Sequence, residues 1–285
     1  MRNYLKLMRI PHYIKNLLIL AAPLCSGMFF ANGMALHMLC GFLAFCFVSS
    51  AVYVINDLND VNRDRLNPAK ACRPIASGAI TSKNALVFAV CLFILGLILN
   101  TFASGFTGAI VLAVYMILNI AYSLGLKNIA ILDVVILVSG YVIRIIYGSV
   151  ISGVSISAWL YLTVISLSFF LALGKRRGEQ RKNGDAARNV LHAYSASFLD
   201  KNMYVSLALA DVFYALWSMN ESTAELYGTK YVFFTVPLFI IITLRYSYDI
   251  EGDSDGDPVE VLLHDKVLIL LALLYIIIMV LLLYL

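Results

Sequence analysis

The stretch from Ile55 to Gly78 carries the residue types best suited to chemistry. It contains the run Asn56-Asp57-Leu58-Asn59-Asp60-Val61-Asn62-Arg63-Asp64-Arg65. Asn56, Asp60 and Asp64 recur at every fourth position, so they share one face if the run is helical. Oxygen ligands one turn apart suit Mg²⁺, which proteins usually hold through one or two carboxylates plus substrate phosphates. We call residues 56–64 the acidic motif and expect it to bind Mg²⁺.

Basic side chains lie within or just after the acidic motif. They are Arg63, Arg65, Lys70 and Arg73, and they could hold the phosphate oxygens that a metal leaves free. A surface loop of mixed charge is the simpler explanation for any single Asp. A dense polar insert between apolar segments is costly, however, unless it lies at a water interface or lines a cavity. The whole arrangement therefore favours a phosphate site at the membrane surface.

The composition indicates a polytopic membrane protein. The 285 residues are 61% hydrophobic and 13% charged, with a mean hydropathy of +0.87, whereas soluble domains are about half apolar and about a quarter charged. We expect one integral-membrane domain over residues 1–285, in contact with the lipid bilayer and with no nucleic-acid partner. The five cysteines form no CxxC pair, which argues against a zinc site or a disulfide framework.

Nine apolar segments predict membrane-spanning helices. They cover residues 17–31, 35–55, 84–103, 106–123, 129–151, 156–173, 202–219, 231–246 and 267–285. Each is near the length that crosses about 30 Å of hydrocarbon at about 1.5 Å per residue. The first could be a signal peptide, because basic residues precede it, but the many apolar segments that follow favour a spanning helix. An odd number of spans puts the two termini on opposite sides.

Lys and Arg are distributed unevenly between the two sides. They lie before the first span and in the loops after even-numbered spans, whereas the opposite side has only Lys230. The positive-inside rule then puts the N-terminus and the acidic motif in the cytoplasm and the C-terminus on the other side. Most acidic residues share the cytoplasmic side, so we expect the active site there.

Two charged residues fall inside predicted spans, Arg144 in the fifth and Asp211 in the seventh. A mid-membrane Arg costs about 3 kcal/mol on insertion scales, so it should face the interior of the helix bundle. The sequence allows two interpretations: Arg144 and Asp211 form a structural ion pair, or they line a substrate cavity.

The acidic motif, after the second of nine helices, resembles the first motif of the UbiA-type intramembrane prenyltransferase family. Three further stretches resemble that family: Arg9-Ile10-Pro11-His12-Tyr13-Ile14-Lys15-Asn16, the region from Tyr122-Ser123 to Lys127, and Gly140 to Arg144. The resemblance covers essentially the whole chain. It implies an all-α polytopic membrane protein with about nine transmembrane helices in a UbiA-like bundle.

The sequence departs from that family between helices six and seven, where the family usually has a second aspartate motif. This chain has the basic run Gly174-Lys175-Arg176-Arg177-Gly178-Glu179, and its last cytoplasmic loop begins Arg245-Tyr246-Ser247-Tyr248-Asp249. These departures resemble the decaprenyl-phosphate phosphoribosyltransferase branch. That branch implies transfer of 5-phosphoribosyl from phosphoribosyl diphosphate (PRPP) to a polyprenyl phosphate. It also implies a bacterial inner membrane and a product used for cell-envelope polysaccharide precursors.

The residues and the resemblance together imply Mg²⁺-assisted departure of diphosphate, with catalytic roles for Asp57, Asp60 and Asp64. The expected metal ligands are Asn56, Asp60 and Asp64, while Asp57 supports them without binding the metal. The expected substrate-binding residues are Lys15, Arg63, Lys70, Arg73, Lys127, Lys175, Arg176, Glu179, Arg245, Tyr246 and Asp249. Of these, Arg63, Lys70 and Arg73 are expected at the diphosphate, and Lys15, Lys127, Lys175 and Arg176 at another phosphate.

No histidine is assigned a catalytic role. His12, His37, His192 and His264 are scattered at segment ends and loops. A phosphate monoester acceptor has a second pKa of about 6 and is mostly dianionic at neutral pH, so it needs no general base.

Two other functions share some of these features. A UbiA-type enzyme that transfers a prenyl group from a prenyl diphosphate to an aromatic acceptor, for a quinone or haem precursor, would share the fold and the acidic motif. A transporter with charged cytoplasmic loops should show inverted repeats with paired broken helices, and the sequence has no such internal symmetry.

Overall fold

The computed structural model describes residues 2–27, 29, 33–68, 70–183, 189–252 and 256–284. Within these ranges every regular element is helical, which confirms the predicted all-α chain. The α-helices are α1 (Arg2–Met8), α2 (Ala21–Leu24), α3 (Met34–Asn59), α4 (Val61–Leu66), α5 (Ser82–Ala103), α6 (Gly105–Leu124), α7 (Leu132–Ser152), α8 (Ala158–Asn183), α9 (Asn189–His192), α10 (Ala196–Met219), α11 (Glu221–Tyr227), α12 (Val236–Glu251), α13 (Pro258–His264) and α14 (Lys266–Tyr284). Short 3-10 segments occupy Ile10–Leu20, Leu126–Asn128 and Tyr231–Thr235.

Six helices in the described part of the chain are long and apolar enough to cross a membrane. They are Met34–Asn59, Ser82–Ala103, Gly105–Leu124, Leu132–Ser152, Ala158–Lys182 and Tyr231–Glu251. The pair Pro258–His264 and Lys266–Leu282, bent by 95°, would make a seventh span if it crosses as one unit. The expected count of nine is therefore not confirmed.

Two of the expected spans differ from the prediction. The segment expected at 17–31 falls partly in the 3-10 segment Ile10–Leu20 and the short helix α2, and residues 28, 30 and 31 lie outside the described ranges. Pro11 and Pro23 lie in this region, and proline removes a backbone donor that a regular helix needs. The segment expected at 202–219 lies within α10, where Asn202 and Asp211 reduce the apolar character.

The chain divides into two compact units. Unit 1 comprises Met1–Ala22, Phe29–Lys127 and Ile143–Val154, and unit 2 comprises Pro23–Met28, Asn128–Val142 and Ser155–Leu285. The single domain expected over residues 1–285 stays a prediction.

Unit 1 is built around α3, which packs against α5 and α6 and against the 3-10 segment Ile10–Leu20. Its core includes the fully buried side chains of Met38, Phe45, Leu112 and Tyr147. Small residues such as Ala44 are also buried along α3, and small side chains let membrane helices approach closely. The core thus fixes the end of α3, where the acidic motif begins.

α7 approaches the 3-10 segment of unit 1 closely at Gly148. A Cβ added to Gly148 would overlap the carbonyl oxygen of Ile19. Arg144 lies one turn earlier on the same face of α7, and its Nε donates to Asn16 Oδ1 at 2.8 Å. The missing side chain at Gly148 therefore lets α7 bring Arg144 to Asn16.

Unit 2 is built around the packing of α8 against α10, and α12 packs against α10 and α14. Its main core includes Phe170, Leu199 and Met203, all fully buried. A second, aromatic cluster surrounds Tyr214, whose hydroxyl lies 2.6 Å from Thr235 Oγ1. The basic run near the end of α8 therefore belongs to a helix that is well packed against α10.

Candidate active site

The acidic motif spans a break between two helices of unit 1. α3 ends at Asn59, α4 begins at Val61, and Asp60 stands between them with φ −94° and ψ 4°. The helical hydrogen-bond pattern nevertheless runs through the break. The Asp60 N–H donates to Asn56 O at 3.0 Å, and the Asp64 N–H donates to Asp60 O at 2.8 Å. The expected four-residue periodicity of the motif backbone is therefore present.

Asp57 and Asp64 contact the same guanidinium. Arg73 Nη1 donates to Asp57 Oδ1 at 3.0 Å and to Asp64 Oδ2 at 2.7 Å. Both carboxylate side chains are only 4% exposed, whereas the Arg73 side chain is 26% exposed. Asp57 has a second cation, because Arg9 Nη2 lies 2.5 Å from the same Oδ1. The two carboxylates are therefore buried, and the partly exposed arginines lie between them and the solvent.

Asn56 and Asp60 have different partners. Ser123 Oγ, near the end of α6, donates to Asn56 Oδ1 at 3.0 Å. Lys127 Nζ donates to Asp60 Oδ1 at 2.5 Å, and the lysine is buried. The side chains of the motif therefore form two groups. Asn56 and Asp60 contact Ser123 and Lys127, respectively. Asp57 and Asp64 both contact Arg73. The expected grouping of Asp64 with Asn56 and Asp60 is not reflected in these side-chain contacts.

The donor chemistry of the motif fits a hard divalent cation. It offers three carboxylates and three side-chain amides, Asn56 among them, within nine residues, and each carboxylate already faces a positive group. In the described ranges, no three Asp, Glu, His or Cys side chains are arranged as a metal site. Substrate phosphate oxygens would therefore have to complete the coordination of Mg²⁺, as they usually do for this ion.

The other expected phosphate-binding residues of unit 1 are placed as follows. Arg63 on α4 is exposed, while Lys70 and Lys15 are half-buried. Lys70 belongs to the turns between α4 and α5, where its N–H donates to Asn67 O at 2.9 Å. Their binding roles stay predictions.

Arg9 is a site residue that the sequence reasoning missed. Its backbone is left-handed, with φ 51° and ψ 50°, a conformation that non-glycine residues seldom adopt. Its guanidinium carbon lies 5.0 Å from the centre of the Tyr53 ring. Arg9 and Asp57 are 48 residues apart, so no local spacing could have linked them. The available signal was the basic residue at the start of a segment that resembles the family.

Arg144 lies in an aromatic and amide environment inside unit 1. Besides its bond to Asn16, its guanidinium carbon lies 4.9 Å from the Phe45 ring centre and 5.3 Å from that of Tyr115. A cation is stabilised over aromatic rings, particularly where water is excluded. Asp211, in unit 2, accepts from Thr243 Oγ1 at 3.2 Å. Each expected intramembrane charge therefore has a polar partner within its own unit.

Arg176 of unit 2 is buried in an ion-pair network. It is 1% exposed, and its Nε donates to Asp133 Oδ2 at 2.7 Å and its Nη1 to Glu179 Oε2 at 2.6 Å. The Tyr194 hydroxyl donates to Asp133 Oδ1 at 2.6 Å. Burial, and then the hydrogen bond to Asp133, raises the pKa of Tyr194 to about 12. These contacts indicate a structural role for Arg176 and Glu179, and their expected substrate binding stays a prediction.

The remaining expected site residues of unit 2 also have protein partners. Lys175 Nζ donates to Asp257 Oδ2 at 2.7 Å. Arg245 Nε donates to Asp265 Oδ2 at 2.5 Å, and a second Arg245 nitrogen lies 3.7 Å from Asp249 Oδ1. Tyr246 is buried. The structure thus links the end of α8 to the start of α13, and α12 to the start of α14.

Comparison with known proteins identifies relatives over nearly the whole chain. The model of the UbiA prenyltransferase family matches residues 20–264. The chain is similar to the decaprenyl-phosphate phosphoribosyltransferase of Mycolicibacterium smegmatis, with 35% identity over 95% of this chain and 89% of the relative. It is similarly related to the enzyme of the same name from Corynebacterium glutamicum, with 35% identity over 94% of this chain and 83% of the relative.

Solved structures share the fold. The chain resembles a UbiA homolog from Archaeoglobus fulgidus bound to GPP and Mg²⁺, with a TM-score of 0.73, 20% identity, and coverage of 99% of this chain and 100% of that one. A digeranylgeranylglyceryl phosphate synthase structure matches with a TM-score of 0.66 and 21% identity, over 97% of each chain. At these identities the likeness concerns the fold alone.

Proposed function

This chain belongs to the UbiA prenyltransferase family of membrane transferases, and from that premise we propose that it transfers 5-phosphoribosyl from PRPP to a polyprenyl phosphate. The observation that carries the proposal is the match to relatives named decaprenyl-phosphate phosphoribosyltransferase, at 35% identity over 95% of the chain. Binding of the substrate phosphates by Lys175 and Arg176 stays part of the proposal, since the structure pairs both side chains with carboxylates of the protein. The product would serve a cell-envelope polysaccharide.

In the proposed reaction an oxygen of the polyprenyl phosphate attacks the anomeric carbon of PRPP. The bond from that carbon to the diphosphate breaks, and the diphosphate leaves with the electron pair. The attacking phosphate is already mostly dianionic at neutral pH, so no side chain has to remove a proton. The protein must instead hold two anions together and stabilise the charge of the leaving group.

The acidic motif and its cations suit the leaving group. Asn56, Asp60 and Asp64 would hold Mg²⁺, which when bound neutralises the negative charge that grows on the departing diphosphate. Arg73 and Lys127 each contact a motif carboxylate, so a diphosphate at the motif would meet both cations. Charge-assisted hydrogen bonds to phosphate are shorter and stronger than neutral ones. Arg63 and Lys70 would add positive charge from the same side.

The fold class indicates where the protein and its two substrates would meet. The protein is an integral membrane protein, and the apolar helices would hold the lipid chain while its phosphate stays at the interface. The positive-inside rule favours a cytoplasmic N-terminus and active site in a bacterial inner membrane, where water-soluble PRPP is available.

Prenyl transfer to an aromatic acceptor is the second candidate. The observation that favours it is the match of residues 20–264 to the model of the UbiA prenyltransferase family. The two reactions share the diphosphate leaving group and differ in the electrophile, which is a polar sugar phosphate in one case and a prenyl chain in the other.

Turnover by the purified protein in detergent separates the two candidates. With Mg²⁺, ribose-labelled PRPP and decaprenyl phosphate, we expect a labelled lipid, and with geranyl diphosphate and 4-hydroxybenzoate we expect no prenylated product. PRPP with Mg²⁺ should also protect the protein against heating more than geranyl diphosphate does. Prenylation of the aromatic acceptor, without any labelled phosphoribosyl lipid, would contradict the proposal.

A further inference from the structure

Arg73 is the counter-ion shared by two acids of the motif. One of its nitrogens contacts both Asp57 and Asp64, at 3.0 and 2.7 Å. The carboxylates are nearly inaccessible, while the Arg73 side chain remains partly exposed. A cation that binds to Asp64 must therefore compete with Arg73 for the same carboxylate.

The carboxylates of the motif are already balanced by cations. Its three carboxylates, Asp57, Asp60 and Asp64, contact three cations in the described residues, Arg9, Arg73 and Lys127, so the charges of these six groups sum to zero. A bare divalent ion would add two uncompensated positive charges close to three cations, and Coulomb repulsion at short range opposes this. A metal that arrives together with an anionic diphosphate avoids that repulsion.

The two arginines at Asp57 are held differently. Arg9 has a second support in the Tyr53 ring and follows directly on α1. Arg73 lies in the turns between α4 and α5, where its N–H donates to Lys70 O at 3.0 Å. Buried Pro74 and Ile75 follow it and anchor the chain. The side chain of Arg73 can therefore change partner while its backbone stays anchored, whereas Arg9 serves as a fixed brace.

We propose that Arg73 is an exchangeable counter-ion, which leaves the Asp57 and Asp64 carboxylates when Mg²⁺ and a diphosphate enter together and then binds the diphosphate. The inference rests on the proposed function only for the diphosphate group, which both candidate donors carry. Arg73 thereby disfavours binding of metal alone and favours binding of metal with its anion. It is a positioning residue before the donor binds and a donor-binding residue afterwards.

Arg73→Gln tests the exchange with two probes that do not depend on the identity of the donor. The first is Mn²⁺ alone, with free ion counted by electron paramagnetic resonance. The second is inorganic pyrophosphate in saturating Mg²⁺, followed by calorimetry. We expect Arg73→Gln to bind Mn²⁺ about tenfold more tightly than the wild type, because a competing cation is gone. It should bind pyrophosphate about tenfold more weakly, because a charge-assisted contact to phosphate is lost.

Lys83→Gln is the matched control, since Lys83 is an exposed cation at the start of α5. It removes one positive charge from the first turn of the helix that follows Arg73 and should leave both affinities at the wild-type level. If Arg73→Gln does not fold, Arg73→Lys replaces it, and the expected changes keep their opposite signs at smaller size. Affinities that fall together, stay unchanged, or shift equally in Lys83→Gln would overturn the proposal. If Arg73→Gln binds Mn²⁺ more tightly and pyrophosphate more weakly, but the wild type does not use PRPP, the exchange of Arg73 is supported. Only the proposed donor is then wrong.

Discussion

Asp60 and Asp64 are the residues at which metal dependence can be tested most directly. Asp60→Asn or Asp64→Asn keeps the side-chain size and removes a charged oxygen ligand. A bound metal contributes several kcal/mol to transition-state stabilisation, and about 1.4 kcal/mol corresponds to a tenfold change in rate. We therefore expect the initial rate of labelled lipid formation to fall at least about a hundredfold in each variant.

EDTA should abolish turnover by the wild type, and added Mg²⁺ should restore it. Asp200→Asn is the control, because Asp200 pairs with Arg177 at an exposed position of unit 2. It should keep the wild-type rate. Near-normal rates in the Asp60 and Asp64 variants, with their folding intact, would refute the assignment of the motif.

The buried contacts of Arg176 favour a role in stability over a role in substrate binding. Removing one partner of a buried ion pair leaves an uncompensated charge and costs about 3–5 kcal/mol. Arg176→Met should therefore lower the free energy of unfolding by about that amount, measured by denaturation in detergent. Lys175→Met, which removes a more exposed partner, should cost about 1 kcal/mol or less. Equal losses in the two variants would contradict the buried network.

Tyr194 predicts a dependence of stability on alkaline pH. Its folded-state pKa, raised to about 12, exceeds the ordinary value of about 10. The stabilisation is therefore fully present below about pH 10 and is lost as pH rises toward 12, because the unfolded chain loses this proton first. The stability difference between the wild type and Tyr194→Phe should shrink across that interval. A difference that stays constant with pH would contradict the assigned contact.

Local spacing predicted the backbone of the motif better than its side-chain partners. The four-residue pattern correctly related Asn56, Asp60 and Asp64 along the chain. It could not show that Arg73 would join Asp64 to Asp57, or that Arg9 would reach Asp57 from 48 residues away. Such contacts depend on how helices pack, and packing leaves no periodic signal in the sequence.

At the scale of elements, hydropathy located the long helices well and the interrupted ones poorly. The expected segments 35–55 and 84–103 lie within α3 and α5. The expected segment 17–31 is not confirmed as one regular helix, because apolar composition does not distinguish a regular helix from a 3-10 segment. The bend between α13 and α14 was also missed, although Asp265 and Lys266 mark a polar break at that point.

Packing of α7 in unit 1 depends on Gly148. Gly148→Ala would place a Cβ against the carbonyl oxygen of Ile19, and overpacking of this kind typically costs about 1–3 kcal/mol. We expect a lower melting temperature for this variant. Ile146→Ala, at an exposed position two residues earlier on the same helix, should have a much smaller effect. An unchanged melting temperature in Gly148→Ala would contradict the close approach.

At the scale of the whole molecule, the number of spans decides where the C-terminus lies. A reporter fused after Arg188 should indicate the cytoplasm, and one fused after Leu285 should indicate the opposite side. Both positions lie outside the described residues, so the test rests on the Lys and Arg distribution. Reporters on one and the same side would contradict nine spans.

The arrangement of the acidic motif also implies an order of assembly during synthesis. Arg9 emerges from the ribosome before α3, Arg73 emerges shortly after the motif, and Lys127 completes the set. All three counter-ions therefore exist before α8 and the helices that follow it have been translated. The charges at the end of α3 can be neutralised while the second half of the protein is still unmade. A nascent chain inserted as far as α6 and its following turn already contains the three cations that pair with the motif carboxylates in the described residues.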